Sequence, residues 1–312
     1  MLVWNGLSDI LIRNYLDAQK ILVVIVTFNG ADYIDAPMGR LCNGLENIDL
    51  LVVDNNSDDN TAKIIKEKYP SVRLISNDNN IGFGQANNIG LRYAIEKGYD
   101  YVYLLNQDAW IEPTAIATLV EIAEKHPDYG IISPMQVYAG ERKIDKVFSQ
   151  SLPKELKDDF IIHGNLPEDL YNVSGRTLQA AHWLLRCDAL RKVGGFSPTF
   201  FHWGEDSNLC RRMEFHGCAL GIAPKILAVH NRENRNERPE KNYHLRLVSW
   251  LEAISDPTRK KSKAIKRTLV LMSDCLIYRP TWFLPLLFKF IKSLPATLKN
   301  RKLSMQDNGA FL

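Results

Sequence analysis

Tyr101 to Trp110 reads YVYLLNQDAW. Its first five residues are all aromatic, β-branched or aliphatic, the composition of a strand covered on both faces. The run then stops in Asn106, Gln107 and Asp108. A buried strand that ends abruptly in two amides and a carboxylate fits the carboxyl edge of an open parallel sheet, where ligands bind.

The segments on either side repeat the pattern. Upstream lie ILVVIV at 21–26, IDLLVVD at 48–54 and VRLISN at 72–77, and downstream lies YGIISPMQVY at 129–138. Helical patterns fall between them, at 61–68, 85–97 and 113–125, the last with Pro113 in its first turn. Strands alternating with helices at this spacing predict an α/β fold with a mostly parallel central sheet flanked by helices.

The strand ends share a chemistry. The first runs into Thr27-Phe28-Asn29-Gly30, the second into Asp54-Asn55-Asn56-Ser57-Asp58, and the third into Asn77-Asp78-Asn79-Asn80 and then Gly82-Phe83-Gly84. Any one of these makes a good turn. Four in succession on one edge point to a nucleotide site. A dinucleotide fingerprint is not completed, because its third glycine position holds Asn87.

Composition narrows the class. The chain of 312 residues is 46% hydrophobic and 24% charged, the balance of a folded rather than a disordered protein. Its net charge is +3, yet residues 241–312 carry fourteen Lys+Arg against four Asp+Glu, so the body is mildly acidic and the tail basic. That distribution argues against a general nucleic-acid binder and suits an anionic surface met at one end. Five cysteines without a C-x-x-C predict neither a disulfide frame nor a zinc ribbon, and with them a cytoplasmic setting. The first twenty residues lack the basic and apolar regions of a signal peptide and read as a short amphipathic helix. Trp282 to Phe288 is too short to span a bilayer and contains Pro285.

The ordered set VTFN, LLVVDNNSDD, NIGFGQANNIG, LLNQD, VGGF and FHWGEDSNLCRR resembles family 2 glycosyltransferases over roughly residues 21–250, most of all bacterial rhamnosyltransferases of cell-surface polysaccharide synthesis. The resemblance implies the nucleotide-sugar-binding GT-A fold, a Rossmann-like sheet, here with a helical C-terminal appendage. It also implies transfer of a sugar from a dTDP- or UDP-sugar to a glycan or lipid-linked acceptor. The expected parts are an N-terminal helical extension (1–20), the GT-A domain (21–250) and a basic, aromatic tail (251–312).

A sugar nucleotide leaves behind a diphosphate, and a divalent cation stabilises the charge that builds on it. Mg²⁺ or Mn²⁺ needs only one or two protein oxygens besides water and phosphate. The resemblance makes Asp108 the last residue of the D-x-D metal motif, with Asn106 in place of the first acid. It makes Asp54 the nucleobase contact, since a carboxylate accepts the N3–H of uracil or thymine. Thr27, Phe28, Asn29, Asn56, Gly82, Asn106 and Gln107 complete the expected donor contacts. Asn87 joins them, where many relatives carry Arg. His230, which closes PKILAVH, is expected to hold metal or diphosphate, and neutral imidazole suits Mn²⁺. Arg232 and Arg235 read either as a diphosphate clamp or as solvated charges.

Glu205-Asp206 is the other acidic pair. As isolated acids they would suit a helix N-terminus. By resemblance Asp206 is the general base that deprotonates the acceptor hydroxyl, and Glu205 orients the acceptor. One base and one displacement imply inversion at the anomeric carbon. Phe200, Phe201 and Trp203 offer a sugar-stacking wall, and Trp183 reads equally as an acceptor contact or as core.

Two rivals stand beside this reading. A nucleotidyltransferase would carry a basic Gly-rich signature after the first strand, yet no Lys or Arg follows Thr27 before Arg40. A catalytically degenerate sugar-binding relative is favoured only by Asn106. The tail segments RKKSKAIKR at 259–267 and RPTWFLPLLFKFIKSLPATLKNRK at 279–302 interleave aromatic and aliphatic residues with cations. They suit peripheral attachment to the inner face of an anionic membrane, a core-packed appendage, or a homodimer contact.

Overall fold

The computed structural model describes residues 19–42, 47–140, 143–158, 160, 168–232 and 239–312. The expected N-terminal helix and Arg235 lie outside the described residues.

The anticipated strands form where the β-branched runs stand: β1 (Ile21–Thr27), β2 (Ile48–Asp54), β3 (Arg73–Ser76), β4 (Tyr101–Asn106) and, after the two-residue β5 (Ala109–Trp110), β6 (Tyr129–Val137). Between them run α1 (Asp35–Leu41), α2 (Thr61–Lys68), α3 (Phe83–Lys97) and α4 (Pro113–Lys125). Then follow α5 (Lys154–Asp158), β7 (Tyr171–Asn172), β8 (His182–Arg186), α6 (Cys187–Val193), α7 (Glu205–Phe215) and β9 (Ala219–His230). Among the described residues these strands make one mixed sheet in the order β3-β2-β1-β4-β8-β6-β9-β5, with β7 paired to β9. The first four are mutually parallel; β8 runs antiparallel between β4 and β6. The short β5, β7 and β8, and helix α1, go beyond the elements read from the sequence.

Alternation along the strands sorts the core into two layers. Leu22, Val24 and Val26 of β1 face one layer with Ala86, Leu91 and Ala94 of α3 and Leu209 and Met213 of α7. Ile21, Val23 and Ile25 face the other, with Met38 of α1, Ile65 of α2 and Ile116 and Leu119 of α4. Gly90 lets α3 lie close on the sheet, since a Cβ there would meet Val24 Cγ1 at 2.4 Å.

The tail folds as three helices, α8 (Pro239–Ser255), α9 (Lys261–Tyr278) and α10 (Pro280–Ser304). They enclose a third apolar cluster around Trp250, Leu286 and Phe290. Helix α10 continues through Pro285 and Pro295, both on its exposed side. Residues 304–310 clasp the body: His216 contacts Asp307 Oδ1 at 2.5 Å and the Ser304 carbonyl at 2.8 Å, and the Gly195 N–H donates to the Ala310 carbonyl.

Candidate active site

The site starts where β1 and β2 end. Thr27 and Asp54 are register partners on neighbouring parallel strands and both are buried. The Thr27 hydroxyl donates to Asp54 Oδ1 at 3.0 Å and the Ser57 hydroxyl to the same oxygen at 2.5 Å. Asp54 Oδ2 receives only the Ser57 N–H, at 3.3 Å, which leaves it lone-pair capacity for a nucleobase N–H. Asn29, at φ 49°, donates its N–H to the Ser57 hydroxyl and accepts the Asp58 N–H on Oδ1, so the two loops interlock. Asn56 is exposed at φ 68°, a conformation that Asn tolerates better than most residues.

Asn55, absent from the expected set, ties the next loops together. Its Nδ2 donates to Asn80 Oδ1 at 2.8 Å, and its Oδ1 accepts from Asn77 Nδ2 and the Ile81 N–H. Part of the polar chemistry at the end of β3 is therefore spent on the scaffold. Gly82, at φ 86°, admits the Phe201 carbonyl where a Cβ would stand 2.3 Å from it. Asn87 is buried and donates to the Phe83 carbonyl one turn back. Its amide nitrogen is thereby used within α3.

The strand end that opened the sequence reading divides its work. Gln107 accepts the Phe28 N–H at 2.9 Å and donates to the Phe28 carbonyl at 3.2 Å, fixing the loop after β1. Asn106 donates its N–H to the Ala181 carbonyl, while its Oδ1 is buried without a hydrogen-bond partner. Ala109 of β5 is the register partner of His230 in β9, which sets Asp108 beside the imidazole. Asp108 Oδ1 lies 3.6 Å from His230 Nε2, with both side chains almost fully buried. Neither nitrogen of His230 has a hydrogen-bond partner. Beneath them His182, also unanticipated, joins the Tyr103 hydroxyl (2.9 Å) and the Val229 carbonyl (3.0 Å). Burial drives its pKa down to about 3, so it stays neutral.

The acid pair forms the first turn of α7, behind Gly204 at φ 88°. Asp206 Oδ2 accepts the Ala180 N–H at 3.1 Å, next to the residue that receives Asn106. Glu205 Cβ lies 3.5 Å from the position a Cβ on Gly84 would take. Segment 180–181 and the Gly-rich loop thus join the acids to the strand ends. Burial raises both carboxyl pKa values. Their mutual proximity adds to this for Glu205, while the Ala180 N–H and the Arg232 charge oppose it for Asp206. Such a pair retains a proton well above the ordinary carboxylate range.

Arg232 is neither a free clamp nor a solvated charge. It holds Asp145 through two bonds, Nε to Oδ2 at 2.7 Å and a terminal nitrogen to Oδ1 at 2.5 Å. Burial alone would push the Asp145 pKa up, but the guanidinium outweighs it and keeps the carboxyl below its usual range. Asp145 carried no sequence signal, because its partner lies 87 residues away.

Two aromatic expectations are corrected. Trp183 has 0% exposure and stacks on Phe196 at 6.0 Å and 8°, so it is core and presents no face to an acceptor. Phe200 is buried against the tail helices. Phe201, 62% exposed, and the half-buried Trp203, at φ 66° with its ring 4.4 Å from His202, remain at the surface.

Among the described residues no three His, Cys, Asp or Glu side chains converge as a metal cage. The buried Asp108 with the unbonded nitrogens of His230 nevertheless fits a hard divalent cation that takes its remaining ligands from water and phosphate.

A family model described as "Glycosyl transferase family 2" matches residues 22–194. The acid pair and His230 lie beyond that span. The chain is 24% identical over 243 residues to the N-acetylglucosaminyl-diphospho-decaprenol L-rhamnosyltransferase of Mycobacterium tuberculosis, covering 69% of this chain and 77% of that one. It is 27% identical to rhamnosyltransferase WbbL of Escherichia coli over 69% of this chain and 85% of that one. Its fold is similar to the mannosyltransferase PcManGT from Pyrobaculum calidifontis, solved with GDP-Man and Mn²⁺. The TM-score is 0.55, with 14% identity over 96% of this chain and 93% of that one.

Proposed function

The chain belongs to glycosyl transferase family 2, and from that premise we propose that it transfers a sugar, rhamnose foremost, from a dTDP- or UDP-sugar to a hydroxyl of a growing cell-surface glycan or lipid-linked oligosaccharide. The observation that carries this reading is the buried pair Asp108–His230, with Asp108 following β4, the strand beside β1, whose Thr27 holds Asp54. The names of the two relatives support the donor and acceptor class.

In this reading Thr27, Asn29 and Ser57 orient Asp54 toward the base. Asp108 and His230 would hold Mg²⁺ or Mn²⁺, which when bound neutralises charge on the leaving diphosphate. Asp206 takes the proton from the acceptor hydroxyl. The acceptor oxygen forms its bond to C1 as the C1–O bond to the diphosphate breaks, and the diphosphate leaves with that electron pair. A single displacement inverts the anomeric centre. Glu205 orients the acceptor, with Trp203 at the rim.

The test is a thermal-shift panel with UDP, dTDP, GDP and CDP, each with and without Mn²⁺. A ligand at a hundred times its dissociation constant adds about 2.7 kcal/mol to the folded state. One nucleotide should stabilise the protein, more so with Mn²⁺, with dTDP pointing to rhamnose. No shift with any nucleotide would overturn the transferase reading.

A further inference from the structure

We propose that the exposed apolar sides of α9 and α10 dock into an anionic lipid surface. The tail sequence mixes aromatic, aliphatic and basic residues throughout, and folding sorts them. One side of each helix enters the cluster around Trp250. The opposite side leaves large apolar groups in solvent. On α10, Leu284 (71% exposed), Phe288 (72%) and Ile291 stand at i, i+4 and i+7, a single stripe. On α9, Leu269, Leu276 and Ile277 are likewise exposed.

Charge selects the occupant. Residues 261–304 contain ten Lys+Arg and one acid, Asp274. Lys263, Lys266 and Lys292 lie exposed on the same two helices. Apolar side chains bordered by cations match the boundary between acyl chains and anionic headgroups. A second copy of this chain is the poorer fit, because a two-fold contact would set the same cations against each other. No helix among the described residues is long and apolar enough to cross a membrane, so the contact is peripheral. The tail cluster includes Phe200, five residues before Glu205, so the tail helices pack against the segment that leads into the acid pair. The inference stands independently of the donor chemistry.

Co-sedimentation of the full chain with vesicles tests it. Binding is expected to vesicles of mixed phosphatidylglycerol and phosphatidylcholine, and to be weak with phosphatidylcholine alone. The double variant Leu284→Ser/Phe288→Ser, checked for an unchanged melting temperature, should lower the vesicle partition coefficient about tenfold or more. Lys263→Ala/Lys266→Ala should weaken binding and reduce its salt sensitivity. Equal binding to both vesicle types, no binding to either, or binding unchanged by the apolar variant would overturn the proposal. So would a concentration-dependent dimer in light scattering that the apolar variant dissolves.

Discussion

Gln107 grips the backbone of Phe28 with both ends of its amide, accepting at 2.9 Å and donating at 3.2 Å. The contact ties the end of β4 to the loop after β1, across 79 residues of sequence. Gly30 is part of the same fit, because a Cβ there would stand 2.3 Å from Gln107 Oε1. Gln107→Ala should therefore raise the donor KM more than it lowers kcat, at a stability cost of about 1–2 kcal/mol for the lost bonds. Gly30→Ala should reproduce the KM effect. Steady-state kinetics with denaturant melts would check both, and an unchanged KM would show that the loop holds itself.

Asp108 and His230 should act as one unit toward metal. Asp108→Ala and His230→Ala are each expected to abolish the extra thermal shift that Mn²⁺ gives over nucleotide alone. The double variant should add little to either single change, as for residues that share one ligand. Additive losses would separate the two roles.

Asp206→Asn should lower kcat by about 10²–10⁴-fold, the usual size of a lost general base, while leaving the nucleotide thermal shift intact. Because burial raises the Asp206 pKa, the acidic limb of the wild-type kcat/KM profile should lie well above the ordinary Asp value of about 4. A limb at that ordinary value would remove Asp206 from the role.

Glu205 ties stability to pH in a direction opposite to a salt-bridged acid. Burial, and then the Asp206 charge, lift its folded pKa above the unfolded one. Its contribution is fully present below the unfolded value of about 4.3 and is lost as pH rises through the higher folded value. Glu205→Gln cannot ionise. The variant should melt above wild type at alkaline pH, and the gap should close toward acid. Parallel melting curves at all pH values would contradict this.

Asp145→Ala should cost about 3–5 kcal/mol, because it strands the partly buried Arg232 without its carboxylate. The same change should loosen the segment after His230 and reduce Mn²⁺ affinity. Chemical denaturation and metal titration would measure the two effects separately.

Much of this arrangement is legible in the residues. The β-branched runs at 21–26, 48–54 and 101–106 become parallel neighbours, and their polar ends meet at one edge. Asn55 and Gln107 show the limit of that reading. Both belong to the polar strand ends, but their side chains bind other loops rather than open space. Nothing in the local sequence separates an amide that cross-links a scaffold from one that faces a ligand.

The sequence by itself determined the order of the main strands and of the helices between them, the polar carboxyl edge and the positions of the acids. These follow from short-range patterns of period two and 3.6 that the backbone must obey. Only the tertiary structure decided that Trp183 stacks on Phe196, that Asp145 claims Arg232, and that His230 stands beside Asp108. Only folding divided the tail between a packed side and an exposed one. Partnerships such as Asp145–Arg232 and Asp108–His230 join residues far apart in the chain. They are set by strand register and by what each buried group needs for satisfaction, and no window of sequence contains both halves of either pair.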